Sequence, residues 1–267
     1  MAILQAIILG ILEGFTEFLP ISSTGHLLLA QDLIGYKDTA EIFAVVVQMG
    51  ALGAVVWYYK EDLARKTKDL FKGSKQAKQF WKIWIIATLP ACVGGLLMVK
   101  VFDFSVNSLV IALALIIGGV IIWLIENYHK TKPSKLKPQF DKITTRQAFG
   151  VGLYQVLALV PGVSRSGATI MGGVLCGFDR VTATAFSFYL SIPILFIAGA
   201  YKIVDGYDEL STISGGGVAL LAGVVASFIT SFVVIGWLLK YVAKHDFKIF
   251  AYYRIILGLL ILVSLLV

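Results

Sequence analysis

The chain has 267 residues, 58% of them hydrophobic and only 15% charged, with a mean hydropathy of +0.86. A soluble domain averages about 45–50% apolar and about 25% charged residues, so the composition excludes an ordinary soluble fold and identifies an integral membrane protein. The net charge of +7 is concentrated in a few loops between apolar runs, where it sets sidedness rather than offering a nucleic-acid surface.

Along the chain, segment 1–35 is apolar but broken by EGFTEFLPISSTGH at residues 13–26, so it does not form one clean helix. No cleavable leader is expected, because the first basic residue is Lys37. Runs at 42–59, 83–99 and 109–125 follow, each near the length that crosses about 30 Å of hydrocarbon. Segment 147–177 is apolar and broken like the first, and further runs occupy 183–201, 218–239 and 250–267. Pro90 and Pro193 fall inside two runs, which membrane helices tolerate when neighbours satisfy the freed carbonyl. These uninterrupted apolar runs lack the alternation of a barrel strand, which leaves helices. Cys92 and Cys176 lie within apolar surroundings and read as reduced, packed thiols.

The loops divide by charge. Residues 60–82 carry eight Lys/Arg against three acids, 126–146 six against two, and 240–254 four against one. By contrast, 100–108 has one of each and 202–217 has one Lys against three acids. The bias of Lys and Arg toward the cytoplasm places the first three loops inside and the last two outside. Residues 205–214 then face outward and Lys75 and Lys137 inward. Both termini are expected outside, unless segment 1–41 crosses once. The two broken segments must therefore enter the membrane from opposite faces.

An internal repeat gives the same picture. At a constant offset of 142 residues, Gln5, Ala6, Gly10, Ser22, Gly25 and Gly35 meet identical residues at 147, 148, 152, 164, 167 and 177. Glu13 faces Gln155 and Thr24 faces Ser166. The expected fold is an all-α polytopic membrane protein of two inverted-topology repeats, each a broken re-entrant helical hairpin plus three transmembrane helices. Its boundaries are a single domain 1–267, with repeat 1 at about 1–125, a basic linker at 126–146 and repeat 2 at about 147–267.

The broken segments carry the chemistry. Glu13 and Glu17 share one helix face at i and i+4 and repel unless a cation lies between them, and acids are expensive at membrane depth. Pro20 is expected to stop the first helix, with Ser22, Ser23 and Thr24 able to cap the next and Gly25 allowing close backbone approach. Helix starts bind anions. The counterpart PGVSRSG repeats this design with Ser164, Ser166 and Gly167, and adds Arg165, whose guanidinium suits phosphate oxygens. His129 and His245 lie in basic loops, whereas His26 stands inside the motif as a candidate acid or base.

EGFTEFLPISSTGH and PGVSRSG together resemble the undecaprenyl-diphosphate phosphatases, also called the bacitracin-resistance family, and the resemblance covers essentially the whole chain. It implies hydrolysis of undecaprenyl diphosphate to the monophosphate and inorganic phosphate, recycling the lipid carrier for cell-wall synthesis. It also implies a divalent cation, Mg²⁺ or Ca²⁺, and a bacterial plasma-membrane protein with its site open to the outer leaflet. The positions carried over are Glu13, Glu17, Ser22, Ser23, Thr24, His26, Ser164, Arg165 and Ser166. Glu13 and Glu17 would hold the cation, and Arg165 with the two helix starts would steady the phosphoryl group. Ser23 or Thr24 could be the nucleophile with His26 as base, or His26 could activate water. A homodimer is left open, and no nucleic acid is expected. The rival reading is a transporter of an anionic polyprenyl lipid that breaks no bond. Acid-phosphatase-like lipid phosphatases are set aside, because Ala168 stands where a second catalytic His would match His26.

Overall fold

The computed structural model describes residues 2–36, 42–101, 107–129, 137–207, 213 and 215–265. Among these every regular element is helical: α1 Ala2–Thr16, α2 Ser23–Ile34, α3 Ile42–Tyr58, α4 Lys60–Phe71, α5 Lys75–Val101 and α6 Ser108–Tyr128. The second half supplies α7 Thr145–Val156, α8 Arg165–Leu175, α9 Arg180–Asp205, α10 Gly216–Val242 and α11 Lys248–Ser264. Much of the expected loops 100–108, 126–146 and 202–217 lies outside the described residues.

Four helices, within α5, α6, α9 and α10, are long and apolar enough to cross a bilayer, and α3 joined to α4 makes a fifth candidate. α11 has 17 residues, about 26 Å at 1.5 Å per residue, at the lower end of spanning length. α5 and α9 run straight through Pro90 and Pro193. Leu96, Ile117, Phe196, Ile229 and Leu260 all stand exposed on the outside of the bundle, a surface suited to acyl chains rather than water.

The basic stretch after α3 is not a loop. The chain bends by 63° after Tyr58 and continues as the polar helix α4, whose residues are all at least partly exposed. Asp62 ties α4 to α9 by accepting from Tyr189 and also pairs with Arg65 and Lys66. The Lys66 ammonium lies 4.7 Å over the Phe80 ring. Charged residues thus hold this helix against the bundle's end, and its few apolar residues, Leu63, Leu70 and Phe71, recur at helical spacing among them.

Small residues let the half-helices approach the long spans. A Cβ on Gly10 would lie 2.2 Å from the Gly223 carbonyl oxygen, and one on Gly14 would lie 2.5 Å from that of Ser227. A Cβ on Gly50 of α3 would meet the Val224 oxygen at 2.3 Å. α10 is therefore wedged against α1 and α3 with its backbone exposed to both, the packing that small residues permit in membranes. On the other side α7 packs on α5, where a Cβ on Gly152 would lie 2.6 Å from the Ala87 oxygen.

The two broken segments share local devices at the offset of 142. Gln5 Nε2 donates to the Ile34 carbonyl at 2.8 Å, and Gln147 Nε2 donates to the Cys176 carbonyl at 2.7 Å. Gly35 and Gly177 both sit in the left-handed region, at φ 66° and 92°. Ser22 and Ser164 have φ values of 74° and 75°, and they are the described non-glycine residues with positive φ. Such a backbone is uncommon outside glycine, so its recurrence at matched positions marks a shared turn.

Candidate active site

α1 ends at Thr16 rather than at Pro20. The Glu17 N–H still bonds the Glu13 carbonyl at 2.9 Å, so the two acids keep their one-turn spacing. From Glu17 onward the chain turns, with Ser22 as the N-cap residue of α2. The expected hydroxyl cap at this helix is absent: the Ser22 side chain makes no capping bond. The second turn does cap, because Ser164 Oγ accepts from the Gly167 N–H at 3.1 Å.

The two turns meet. Arg165 Nη2 lies 3.0 Å from Glu17 Oε1, with side chains only 10% and 5% exposed. Arg165 Nη1 donates to the Ser187 carbonyl at 3.0 Å, and the guanidinium lies 5.8 Å from the Phe18 ring centre. Its Nε is buried without a partner, and only two of its five N–H donors are committed to these bonds. Ser166 Oγ donates to the Leu19 carbonyl at 2.7 Å and lies 3.0 Å from Ser164 Oγ. Ser166 therefore holds the second turn to the first, while Ser164 and Gly167 brace the second turn internally.

The other Glu17 oxygen completes the network. Ser23 Oγ donates to Glu17 Oε2 at 2.6 Å, and Gln48 Nε2 reaches the same atom at 3.3 Å. A cavity of about 100 Å³ opens beside this group, with Glu13, Ser23, Thr24 and Gln48 at its polar end. Glu13 is 1% exposed, adjoins the Glu17 carboxyl, and has a buried Oε1 with no partner. Gln48 was not among the expected site residues, although an amide inside an apolar span is itself a signal.

His26 does not reach Ser23. Its Nδ1 lies 2.7 Å from the Ser22 carbonyl and its Nε2 lies 2.6 Å from the Tyr253 hydroxyl. A carbonyl only accepts, so the ring donates from Nδ1–H to Ser22 and, when neutral, accepts a hydrogen bond from the Tyr253 hydroxyl at Nε2. The expected pairing of His26 with the serine is therefore not what the fold builds, and the carboxylate of Glu17 stands in that place.

Arg254 holds the arrangement from behind. It was counted with the basic loop 240–254, yet it lies in α11 at 1% exposure. Its Nη1 donates to Pro20 and Val163, its Nη2 to Ala114 and Gly162, and its Nε to Leu115, all backbone carbonyls at 3.0–3.4 Å. All five guanidinium donors are thus used, and they bind the first turn, the second turn and α6 together. A Cβ on Gly118 would fall 2.2 Å from Nη2, so the close passage of α6 depends on that glycine.

The donor set can be tested against the implied cation. Among the described residues no cluster of three His, Cys, Asp or Glu exists. An unpartnered buried Glu13 oxygen beside a second carboxylate, a hydroxyl and an amide does fit a hard divalent ion. Such an ion takes oxygen ligands and commonly completes its shell with substrate phosphates.

Fold and site together define a polytopic helical membrane protein with a buried acid, hydroxyl and guanidinium network where two broken helices meet. Residues 6–260 match the family described as Bacitracin resistance protein BacA, and the chain belongs to that family. It is 45% identical over 262 residues to undecaprenyl-diphosphatase 1 of Paraburkholderia xenovorans, covering 97% of this chain and 93% of the relative. It is also 45% identical over 267 residues to undecaprenyl-diphosphatase of Methylobacillus flagellatus, covering 97% of each. The Clostridium tetani undecaprenyl-diphosphatase is 41% identical over 263 residues, 98% of this chain and 96% of that one.

Proposed function

We propose that this chain hydrolyses undecaprenyl diphosphate to undecaprenyl phosphate and inorganic phosphate. The reading is carried by one observation: Ser23 Oγ donates at 2.6 Å to a buried Glu17 that Arg165 holds from the other side. Nucleophile, base and orienting group in hydrogen-bond sequence are the arrangement that activates a hydroxyl. The relatives' shared name supplies the substrate.

In the proposed reaction the Ser23 oxygen attacks the terminal phosphorus while Glu17 takes its proton. The bond from that phosphorus to the bridging oxygen breaks, and undecaprenyl phosphate leaves with the electron pair. Water then cleaves the phosphoserine, releasing inorganic phosphate and restoring the hydroxyl. Arg165 steadies the equatorial oxygens with the donors it does not spend on Ser187 and Glu17. His26 acts through the Ser22 carbonyl, keeping the turn that aims Ser23. A divalent cation, Mg²⁺ or Ca²⁺, would be held by Glu13 with Glu17 and would supply neutralisation of the diphosphate charge.

The charge bias of the loops supports a multi-pass plasma-membrane protein whose first broken hairpin enters from outside, with the site open to the outer leaflet. The matched turns at Ser22 and Ser164 support the inverted repeat, with repeat 1 at about 1–125 and repeat 2 at about 147–267.

Purified protein given undecaprenyl diphosphate in detergent is expected to release inorganic phosphate, with Ser23→Ala abolishing release and His26→Ala leaving a measurable rate. A transporter would move the lipid across a vesicle membrane and release none. Absence of phosphate from the wild-type protein with Mg²⁺ or Ca²⁺ present would sink the hydrolase reading. A Ser23→Ala variant that still turns over would transfer the attack to water.

A further inference from the structure

The cavity of about 100 Å³ is too small to enclose a lipid diphosphate, since pockets that bury even drug-sized ligands run to about 300–1,000 Å³. Most of the substrate must therefore leave it, and the walls indicate where. Leu27 and Leu28 follow Ser23 on α2 by about one helical turn, and Ala44 and Val45 precede Gln48 on α3 by about one turn. The polar end thus passes into a mainly apolar wall between these two helices, interrupted by Gln31 one turn further along α2.

A second observation comes from comparing the halves. α8 packs closely along α9, whereas α2 lies nearest α1, and among the described residues its backbone keeps a wider spacing from α3, with Leu27, Ala30 and Ile34 sharing a buried cluster with Phe43 and Val47. The turn geometry and the glutamine bonds recur in both halves, so the two hairpins share their local build. They differ in how closely the neighbouring helix approaches them. Backbone packing closes the seam beside Arg165, whereas side chains alone close it beside Ser23.

We propose that the α2–α3 seam, lined by Leu27, Leu28, Ala44 and Val45, is the binding site for the first isoprene units of the substrate chain and its way out into the lipid. The occupant is the allylic end of a polyprenyl diphosphate, because the seam is continuous with the polar group that would hold the diphosphate. A planar, methyl-branched hydrocarbon segment also suits a slot between two apolar helix faces. This inference rests on the hydrolase reading for its substrate, but binding in the seam requires no bond cleavage.

The test is photolabelling of the unmodified protein with a polyprenyl diphosphate carrying a diazirine in its first isoprene unit, followed by peptide mapping. Adducts are expected at residues 27–28 and 44–45, and excess unlabelled polyprenyl diphosphate should displace them while phospholipid does not. Adducts confined to the α8–α9 side, or undiminished by competitor, would overturn the assignment. In the companion variant Val45→Trp, labelling at these positions should fall about tenfold. KM for the long-chain substrate should rise by about the same factor, equivalent to about 1.4 kcal/mol, with a smaller change in kcat. A folded Val45→Trp protein with wild-type labelling and KM would also overturn it. If the wild-type protein is labelled in the seam yet releases no phosphate, the hydrolase reading fails and the seam stands.

Discussion

Glu17 receives donors from Arg165, Ser23 and Gln48, so changing its carboxylate disturbs charge balance and geometry together. Glu17→Gln leaves Arg165 buried without its counter-charge, and breaking a buried pair costs about 3–5 kcal/mol. We expect a clear fall in melting temperature as well as a loss of turnover of at least about 100-fold. Glu13→Gln breaks no bond at the orphan Oε1, so its melting temperature should stay near wild type while its half-saturating Mg²⁺ rises about tenfold or more. Melting curves and Mg²⁺ titrations of phosphate release check both. A wild-type titration in Glu13→Gln would remove Glu13 from the cation. The resemblance assigned both glutamates to the cation alike. Spacing placed both acids on one face correctly. It could not reveal that one of them spends its oxygens on a partner 148 residues away, because contacts between distant turns leave no local period in the chain.

At the level of elements, the two turns answer differently to the same substitution. Ser164→Ala removes the hydroxyl that accepts from Gly167, a cap worth about 1 kcal/mol. Ser22→Ala removes no capping bond and should cost less than half as much. Denaturant or thermal unfolding in detergent measures the pair, and equal losses would mean that the Ser164 bond contributes no net stability. The apolar runs foretold the spanning helices to within several residues, since hydrocarbon demands uninterrupted helix wherever the chain crosses. Where that demand lapses, the reading failed: α4 keeps Leu63, Leu70 and Phe71 at helical spacing, but so few apolar residues among so many charges looked like a basic loop. The end of α1 falls four residues before Pro20, where the ring opposes the Thr16 carbonyl and offers it no N–H, and the turn that follows sets Glu17 against Arg165.

At the scale of the whole molecule, the site exists only because two halves are held in register, and Arg254 makes that connection. Its five donors end on carbonyls from the first turn, the second turn and α6. Sequence reading assigned it to a cytoplasmic loop because an arginine near the start of an apolar run satisfies the charge bias equally well from outside. Burial separates the two cases, since a guanidinium among lipid-depth helices persists only where its donors are all met. Lysine keeps the charge but has three donors on a single atom, so at least two carbonyls would be stranded, at about 1–3 kcal/mol each. Arg254→Lys should therefore lose several kcal/mol of stability. Its turnover should fall further than its substrate affinity, because Ser23 and Arg165 drift apart while the seam that would hold the chain is untouched. Unfolding in a denaturing-detergent titration reads the first quantity, and phosphate release across substrate concentrations reads the second. A lysine variant with wild-type unfolding and kcat would mean that the turns hold each other through Glu17–Arg165 and Ser166–Leu19 alone, and that Arg254 merely fills the space behind them.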